Sequence, residues 1–130
     1  MIYGVGMDML EINRMKKIME GKAAKRFLER ILTVAERELA ETRKGRLSEF
    51  IAGRFAAKEA LVKALGCGLG QIVGFQDIEI LPNSLGKPDC TISASALERL
   101  GFNVDSGLRI HLSITHSESM AAAYVIIELS

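Results

Sequence analysis

Asp8 stands in the run Gly4-Val5-Gly6-Met7-Asp8-Met9-Leu10, a lone carboxylate in an otherwise apolar, glycine-punctuated strand. Burying an acid there is costly unless something pairs with it. Two readings follow: a strand-end acid bonding its own turn, or a carboxylate ligand for a hard cation. Further along, Arg54, Lys58, Glu59 and Lys63 fall within ten positions of a helical pattern. At about 100° per residue, Leu47, Phe50, Ile51, Leu61 and Leu65 define one apolar arc. Glu59 and Lys63 lie on its edge one turn apart, where an exposed i,i+4 pair contributes only a few tenths of a kcal/mol. Arg54 and Lys58 project near the middle of the arc, so they must either snorkel past it or meet anions. Four such charges suggest a phosphate and metal site more than solubilising decoration. His116, with Ser113, Thr115 and Ser117 around it, is suited to holding a phosphate, although capping or packing is an equally ordinary use. No Gly-x-Ser-x-Gly elbow is present. The run Gly66-Cys67-Gly68-Leu69-Gly70 follows a helix and lacks the Gly-Lys-Ser/Thr ending, so it is no P-loop. A helix C-cap followed by a turn accounts for it as well as a close backbone approach to a ligand does.

These residues need elements to position them. Tyr3–Ile12 reads as a strand in which Gly4 and Gly6 open the backbone to close approach. Residues 13–32 read as helix, capped by Asn13 and broken at Gly21. Thr33-Val34-Ala35-Glu36 matches a capping box opening a helix that ends near Gly45. The long helix runs from Leu47 to Leu65, with Ser48 near its start, and Gly66 stops it. Phe75–Leu81 reads as a strand, Pro82–Pro88 as a turn and Asp89–Ile92 as the returning strand. Ser93 or Ser95 caps a short helix through Leu100, ended by Gly101. Leu108–Thr115 alternates apolar and polar, and Ser119–Leu129 returns beside it. Mixed helices and hairpins favour an α+β fold, a single domain over 1–130 with an antiparallel sheet packed against a long helix.

With 130 residues, 48% hydrophobic and 25% charged, the chain has material for one core and is not disordered. The net charge of +1 argues against nucleic acid or membrane as partner. That total hides a split. Arg14 to Arg46 carries eleven cations and five anions, or +6, while the remainder carries −5. A basic segment on an acidic remainder suggests a patch that meets something negative. Cys67 and Cys90 form no zinc or disulfide pattern. The opening residues lack a basic, apolar leader pattern, and no run approaches the roughly 20 apolar residues of a spanning helix. A cytoplasmic location is expected.

Three stretches change the reading when taken together: Gly4-Val5-Gly6-Met7-Asp8-Met9-Leu10-Glu11-Ile12, Gly53-Arg54-Phe55-Ala56-Ala57-Lys58-Glu59-Ala60 followed by Lys63-Ala64-Leu65-Gly66, and Leu112-Ser113-Ile114-Thr115-His116-Ser117 followed by Ala121-Ala122-Ala123. Phe75-Gln76-Asp77-Ile78-Glu79-Ile80 and Gly86-Lys87-Pro88 join them. In this order and spacing the chain closely resembles the small bacterial holo-acyl-carrier-protein synthases, a type of 4′-phosphopantetheinyl transferase. The resemblance runs nearly end to end.

The resemblance implies transfer of the phosphopantetheine arm of coenzyme A to a serine of acyl carrier protein, releasing adenosine 3′,5′-bisphosphate, in fatty acid biosynthesis. It implies Mg²⁺ held by Asp8 and Glu59, with Lys63 by the reacting phosphate. Arg54 and His116 would contact coenzyme phosphates, His116 the 3′-phosphate, with Gly66 also on the coenzyme. Lys44 and the Gly86-Lys87-Pro88 turn would lie at the adenine end, the turn available from a neighbouring subunit of a homotrimer. Acyl carrier proteins are acidic, so the basic segment gains a partner, with Arg14, Arg26 and Arg30 facing the carrier and Phe27 as an apolar anchor. The nucleophile belongs to the carrier, and a water held by Glu59 or by the metal is expected to take its proton. Two competing readings are another Mg²⁺-dependent enzyme of nucleotide pyrophosphates and a non-catalytic binder of acidic proteins or RNA. The first would not need the basic segment. RNA is disfavoured by a chain with only seven aromatics. A dead carrier binder would be expected to lack Asp8, Glu59 or Lys63.

Overall fold

The computed structural model describes residues 1–103 and 105–130. The chain runs β1 (Ile2–Glu11), α1 (Ile12–Glu20), α2 (Ala24–Ile31), α3 (Val34–Glu41), α4 (Leu47–Leu65), β2 (Ile78–Pro82), β3 (Pro88–Ile92), α5 (Ala94–Arg99), β4 (Arg109–His116) and β5 (Met120–Glu128). Two antiparallel sheets result, one of order β1-β5-β4 and one a β2-β3 ribbon. This is the expected α+β arrangement, with α4 laid across the larger sheet.

The period of two in β1 decides which way its residues face. Gly6 and Leu10 are buried toward α4, while Val5, Met7 and Met9 face away and stay about half exposed. Gly4 and Gly6 let the strand touch the helix backbone itself. A Cβ on Gly4 would overlap the Ala64 carbonyl oxygen, and one on Gly6 the Ala60 carbonyl oxygen. Small residues on α4 complete the contact: Ala56, Ala60 and Ala64 are buried, as are Ala123, Val125 and Ile127 on β5. At its far end Gly66 takes φ of 81°, and the Gly66 and Cys67 N–H groups both donate to the Val62 carbonyl. An L-residue with a side chain pays strain in that left-handed conformation, and glycine does not.

The capping box is formed as expected, with the Thr33 hydroxyl accepting from Glu36 N–H and Glu36 accepting from Thr33 N–H. Ser93 caps α5 by accepting from Ala96 N–H. The break expected at Gly21 separates α1 from α2. Two expectations need correction. The first helix begins at Ile12, directly from β1. Glu11 holds the cap position without a side-chain bond, so Asn13 is no cap. The strand expected from Phe75 starts at Ile78, because Phe75–Asp77 is a 3₁₀ turn. Asp77 closes that turn, accepting from Gly74 N–H at 2.9 Å and from the Ser93 hydroxyl at 2.6 Å. Among the described residues no helix is long and apolar enough to cross a membrane.

Candidate active site

The β1–α4 contact brings together residues more than fifty positions apart. Asp8 faces the helix beside Glu59, and Lys63 Nζ donates to Asp8 Oδ1 at 3.0 Å and to the Met7 carbonyl at 3.1 Å. Spacing allows Lys63 a surface pair with Glu59 one turn back. Its partner is Asp8 instead, because the glycines admit β1 to within reach of the lysine. Burial pushes the Glu59 carboxyl above its ordinary range, and the neighbouring charge of Asp8 pushes it the same way against the opposing pull of Lys63. Among the described residues no third His, Cys, Asp or Glu joins the two acids. Gly66 lies exposed at the same end of α4, one turn beyond Lys63.

A second feature lies on the other flank of α4. A cleft of about 300 Å³ opens between the start of α4, the β2-β3 ribbon and the end of β4. Arg43, Arg46 and Arg54 supply its cationic lining, Glu49 and His116 also line it, and Phe50 forms its apolar floor. Arg54 is only 9% exposed. Its Nε donates to the Ile80 carbonyl at 3.2 Å, and its guanidinium lies 4.5 Å from the centre of the Phe50 ring. Arg43 sits 5.7 Å from the same ring, its Nε buried without a partner among the described residues. Burial lowers the Arg54 pKa, Glu36 partly restores it, and Arg43 lowers it again. His116 Nε2 is 3.1 Å from Glu49 Oε2. This is a small, strongly cationic recess with a flat hydrophobic floor, suited to phosphate groups attached to an apolar or aromatic body.

Gly86 and Pro88 line this cleft, so the hairpin turn sits beside Arg54 and His116 of its own chain. Asn83 shapes the turn by accepting from Leu85 N–H and Lys87 N–H, and Gly86 takes φ of 83°. Lys87 is exposed on the turn, and Lys44 is exposed in the loop before α4, where its neighbours Arg43 and Arg46 do the lining. Arg43, Arg46, Glu49 and Phe50 escaped the sequence reading. The usable signal was three cations in four positions just before a helix start.

Lys58 corrects the idea that all four charges of α4 serve phosphate or metal. It is fully buried and donates to Glu36 Oε1 at 2.7 Å, to the Ile31 carbonyl at 2.7 Å and to the Phe75 carbonyl at 3.0 Å. All three ammonium protons are used inside the core. Of the carrier-facing candidates, Arg14, Arg26 and Arg30 are exposed. Phe27 is half-buried and stacked 6.5 Å from Phe55, which in turn lies 5.6 Å from Phe75, so part of its ring already belongs to the core.

The two flanks point apart. Arg54 and Lys63 are nine residues apart on one helix, about half a turn out of phase and roughly 13 Å along the axis. On the sheet beneath, Asp8 and Ile114 share one row with Ala123 of β5 between them. That places the acids and the cleft about two strand spacings, roughly 10 Å, apart.

Residues 4–125 match the 4′-phosphopantetheinyl transferase superfamily. A holo-[acyl-carrier-protein] synthase of Bacillus cereus (strain AH187) is 47% identical over 131 residues, covering 100% of this chain and 98% of that protein. A holo-(acyl-carrier-protein) synthase from Bacillus anthracis, solved in complex with CoA (3′,5′-ADP), superposes with a TM-score of 0.83 at 44% identity, covering 100% of this chain and 99% of that one. The holo-[acyl-carrier-protein] synthase of Neisseria meningitidis gives a TM-score of 0.83 at 35% identity, covering 98% and 99%. The chain belongs to the 4′-phosphopantetheinyl transferase superfamily, among its holo-[acyl-carrier-protein] synthases.

Proposed function

We propose that the chain, as one domain over 1–130, moves the 4′-phosphopantetheine arm of coenzyme A to a serine of apo acyl carrier protein in fatty acid biosynthesis in the cytoplasm. The observation that carries this reading is the pairing of a two-carboxylate corner with a cationic cleft on one helix. The acids suit Mg²⁺. Glu59 is held above its ordinary pKa by burial and by Asp8, an unfavourable state that a bound divalent cation relieves. Mg²⁺ commonly takes one or two carboxylates and completes its shell with phosphate oxygens and water. Asp8 and Glu59 would hold it, and it would neutralise charge on the pyrophosphate.

The chain's own residues supply the rest. Arg54 and His116 bind the coenzyme's outer phosphates in the cleft, with Lys44, Lys87 and the Gly86–Pro88 wall at the adenine end. Lys63, about half exposed, reaches from its strand partner toward the reacting phosphate. The carrier's serine oxygen bonds to the phosphorus nearest the pantetheine. The bond from that phosphorus to the bridging oxygen breaks, and adenosine 3′,5′-bisphosphate leaves. A water held at Glu59 takes the serine proton. The exposed cations Arg14, Arg26 and Arg30 orient the acidic carrier, and the core burial of Glu36 removes one anion from their surface.

The assembly that suits this reading is a homotrimer in which the cleft of one copy faces the acids of the next. The outer face of the sheet offers the contact: Val5, Met7, Met9 and Tyr124 are 45–53% exposed and adjacent. The test is direct. Incubated with an apo carrier protein, coenzyme A and Mg²⁺, the protein should add the mass of phosphopantetheine to the carrier, and a chelator should abolish the gain. No gain with several apo carriers would sink the proposal.

A further inference from the structure

The core holds a charge network that the transfer chemistry does not use. Lys58 and Glu36 are both fully buried and ion-paired at 2.7 Å. Glu36 Oε1 accepts from Lys58 and from Thr33 N–H, while its Oε2 accepts from Ile80 N–H at 2.8 Å. Ile80 belongs to β2, the inner strand of the ribbon that carries the cleft wall. In an antiparallel pair a residue turns its N–H and C=O to the same side. Ile80 turns both toward the core edge, where Glu36 takes the N–H and Arg54 Nε takes the carbonyl. Two residues on, Pro82 has no N–H to offer and is itself part of the cleft wall.

Stability alone does not explain such a pair. Replacing a buried ion pair by well-packed apolar residues is often neutral or stabilising. What the pair does, and an apolar couple cannot, is fix one edge residue of the ribbon from a defined direction. Lys58 anchors Glu36 to the end of α2 and to the turn at Phe75, so the carboxylate cannot swing.

We infer that Glu36, locked by Lys58, is a positioning residue for the coenzyme end of the site. It holds Ile80, and through the Ile80 carbonyl it sets the guanidinium of Arg54 over Phe50 and the ribbon's Pro82, Gly86 and Pro88 against the cleft. The inference rests on the proposed binding of coenzyme A in that cleft. It predicts a selective defect on loss of Glu36, because the acids on the opposite flank are held by other contacts and Lys58 keeps its own bond to the Ile31 carbonyl at the end of α2.

The experiment uses the full-length protein in its native assembly, with thermal melting, calorimetric binding of adenosine 3′,5′-bisphosphate, and steady-state kinetics. Glu36→Gln, checked as folded, should weaken bisphosphate binding and raise the KM for coenzyme A about tenfold, the effect of one displaced hydrogen bond to a charged group. The KM for carrier and kcat at saturating coenzyme A should stay within about twofold. Combined with Arg54→Met, it should add little to the loss caused by Arg54→Met alone, because the two act through one carbonyl. The apolar couple Glu36→Leu/Lys58→Met leaves no unpaired charge in the core. It should melt below the wild type, because the Ile31 and Phe75 carbonyls and the Thr33 and Ile80 N–H groups lose their side-chain partners, and it should share the binding defect, so it carries the comparison if Glu36→Gln fails to fold. A Glu36→Gln or apolar-couple variant that binds bisphosphate like the wild type would overturn the inference, as would losses that multiply with those of Arg54→Met. Failure of the wild type to bind the bisphosphate would instead sink the reading of the cleft, and this inference with it.

Discussion

The strongest consequence of two flanks facing apart is that two dead variants should repair one another. Glu59→Gln disables the acid corner and leaves the cleft intact. Arg54→Met disables the cleft, keeps an apolar stem over Phe50 and leaves the acids intact. Loss of one group that stabilises transition-state charge costs on the order of a hundredfold, so each pure variant should run at about 1% of the wild-type rate. If each site of the proposed trimer takes its acids from one subunit and its cleft from the next, every mixed trimer joins both good halves at one site in three. Coexpression with two affinity tags and sequential purification yields the mixed oligomer. Its specific activity should reach about a third of wild type, some thirty times either parent, and mixing the separately purified variants without subunit exchange should not. The half-turn between Arg54 and Lys63 and the intervening strand β5 motivate this expectation. A mixed oligomer that runs at the mean of its parents would refute it, and would require one chain to bend the coenzyme around α4.

The remaining predictions concern contacts that position the site or its partner. Gly6→Ala should destabilise by about 3 kcal/mol, because its Cβ meets backbone of Ala60 and Ala64 that no rotamer can move, and transfer activity should fall with it as Asp8 is displaced. Gly66→Ala should lose about 1 kcal/mol to left-handed strain, while Gly70→Ala, with open space around it, should stay within about 0.5 kcal/mol. Equal melting temperatures for Gly6→Ala and Gly70→Ala would contradict the strand–helix contact. Burial pushes the Asp77 carboxyl up, but the Ser93 hydroxyl, the Gly74 N–H and Arg99 outweigh it and hold its pKa below the ordinary 3.8. Its stabilisation is therefore present above that pH and lost as pH falls through the depressed value. Asp77→Asn should melt below the wild type at pH 7, with the gap closing below pH 3.8; an unchanged gap in acid would count against the assignment. Arg26→Glu/Arg30→Glu should raise the KM for carrier about tenfold at low salt, less as salt screens it, and leave the KM for coenzyme A alone. A salt-independent effect would remove those arginines from the docking surface.

What the sequence made legible is what local rules control. Gly4 and Gly6 announced a close approach, the arc from Leu47 to Leu65 ran to its glycine stop, and Thr33-x-x-Glu36 declared a capping box. Arg54 and Lys58 were rightly marked as cations in need of partners, because periodicity puts them against the core. Periodicity could not name the partners, since these arrive from elsewhere in the chain: a carbonyl of β2 for Arg54, and for Lys58 the glutamate already used by the capping box. The same gap hides the partner of Lys63, which spacing lets pair with Glu59 and which in space meets Asp8, fifty-five positions earlier.

The charge arithmetic shows how far that gap reaches. Eleven cations against five anions over Arg14–Arg46 reads as one surface feature. Folding sends its members to three different places. Glu36 goes into the core, Arg43 and Arg46 to the cleft, and Arg14, Arg26 and Arg30 to the exposed helical face. A carboxylate at Glu36 can therefore satisfy a local capping rule and still act on Arg54 eighteen residues away, because the N–H and C=O of Ile80 join them. Linear spacing identifies which groups cannot stay alone. Only the fold, which sets Ile80 of β2 between Glu36 of α3 and Arg54 of α4, decides which of them share a consequence.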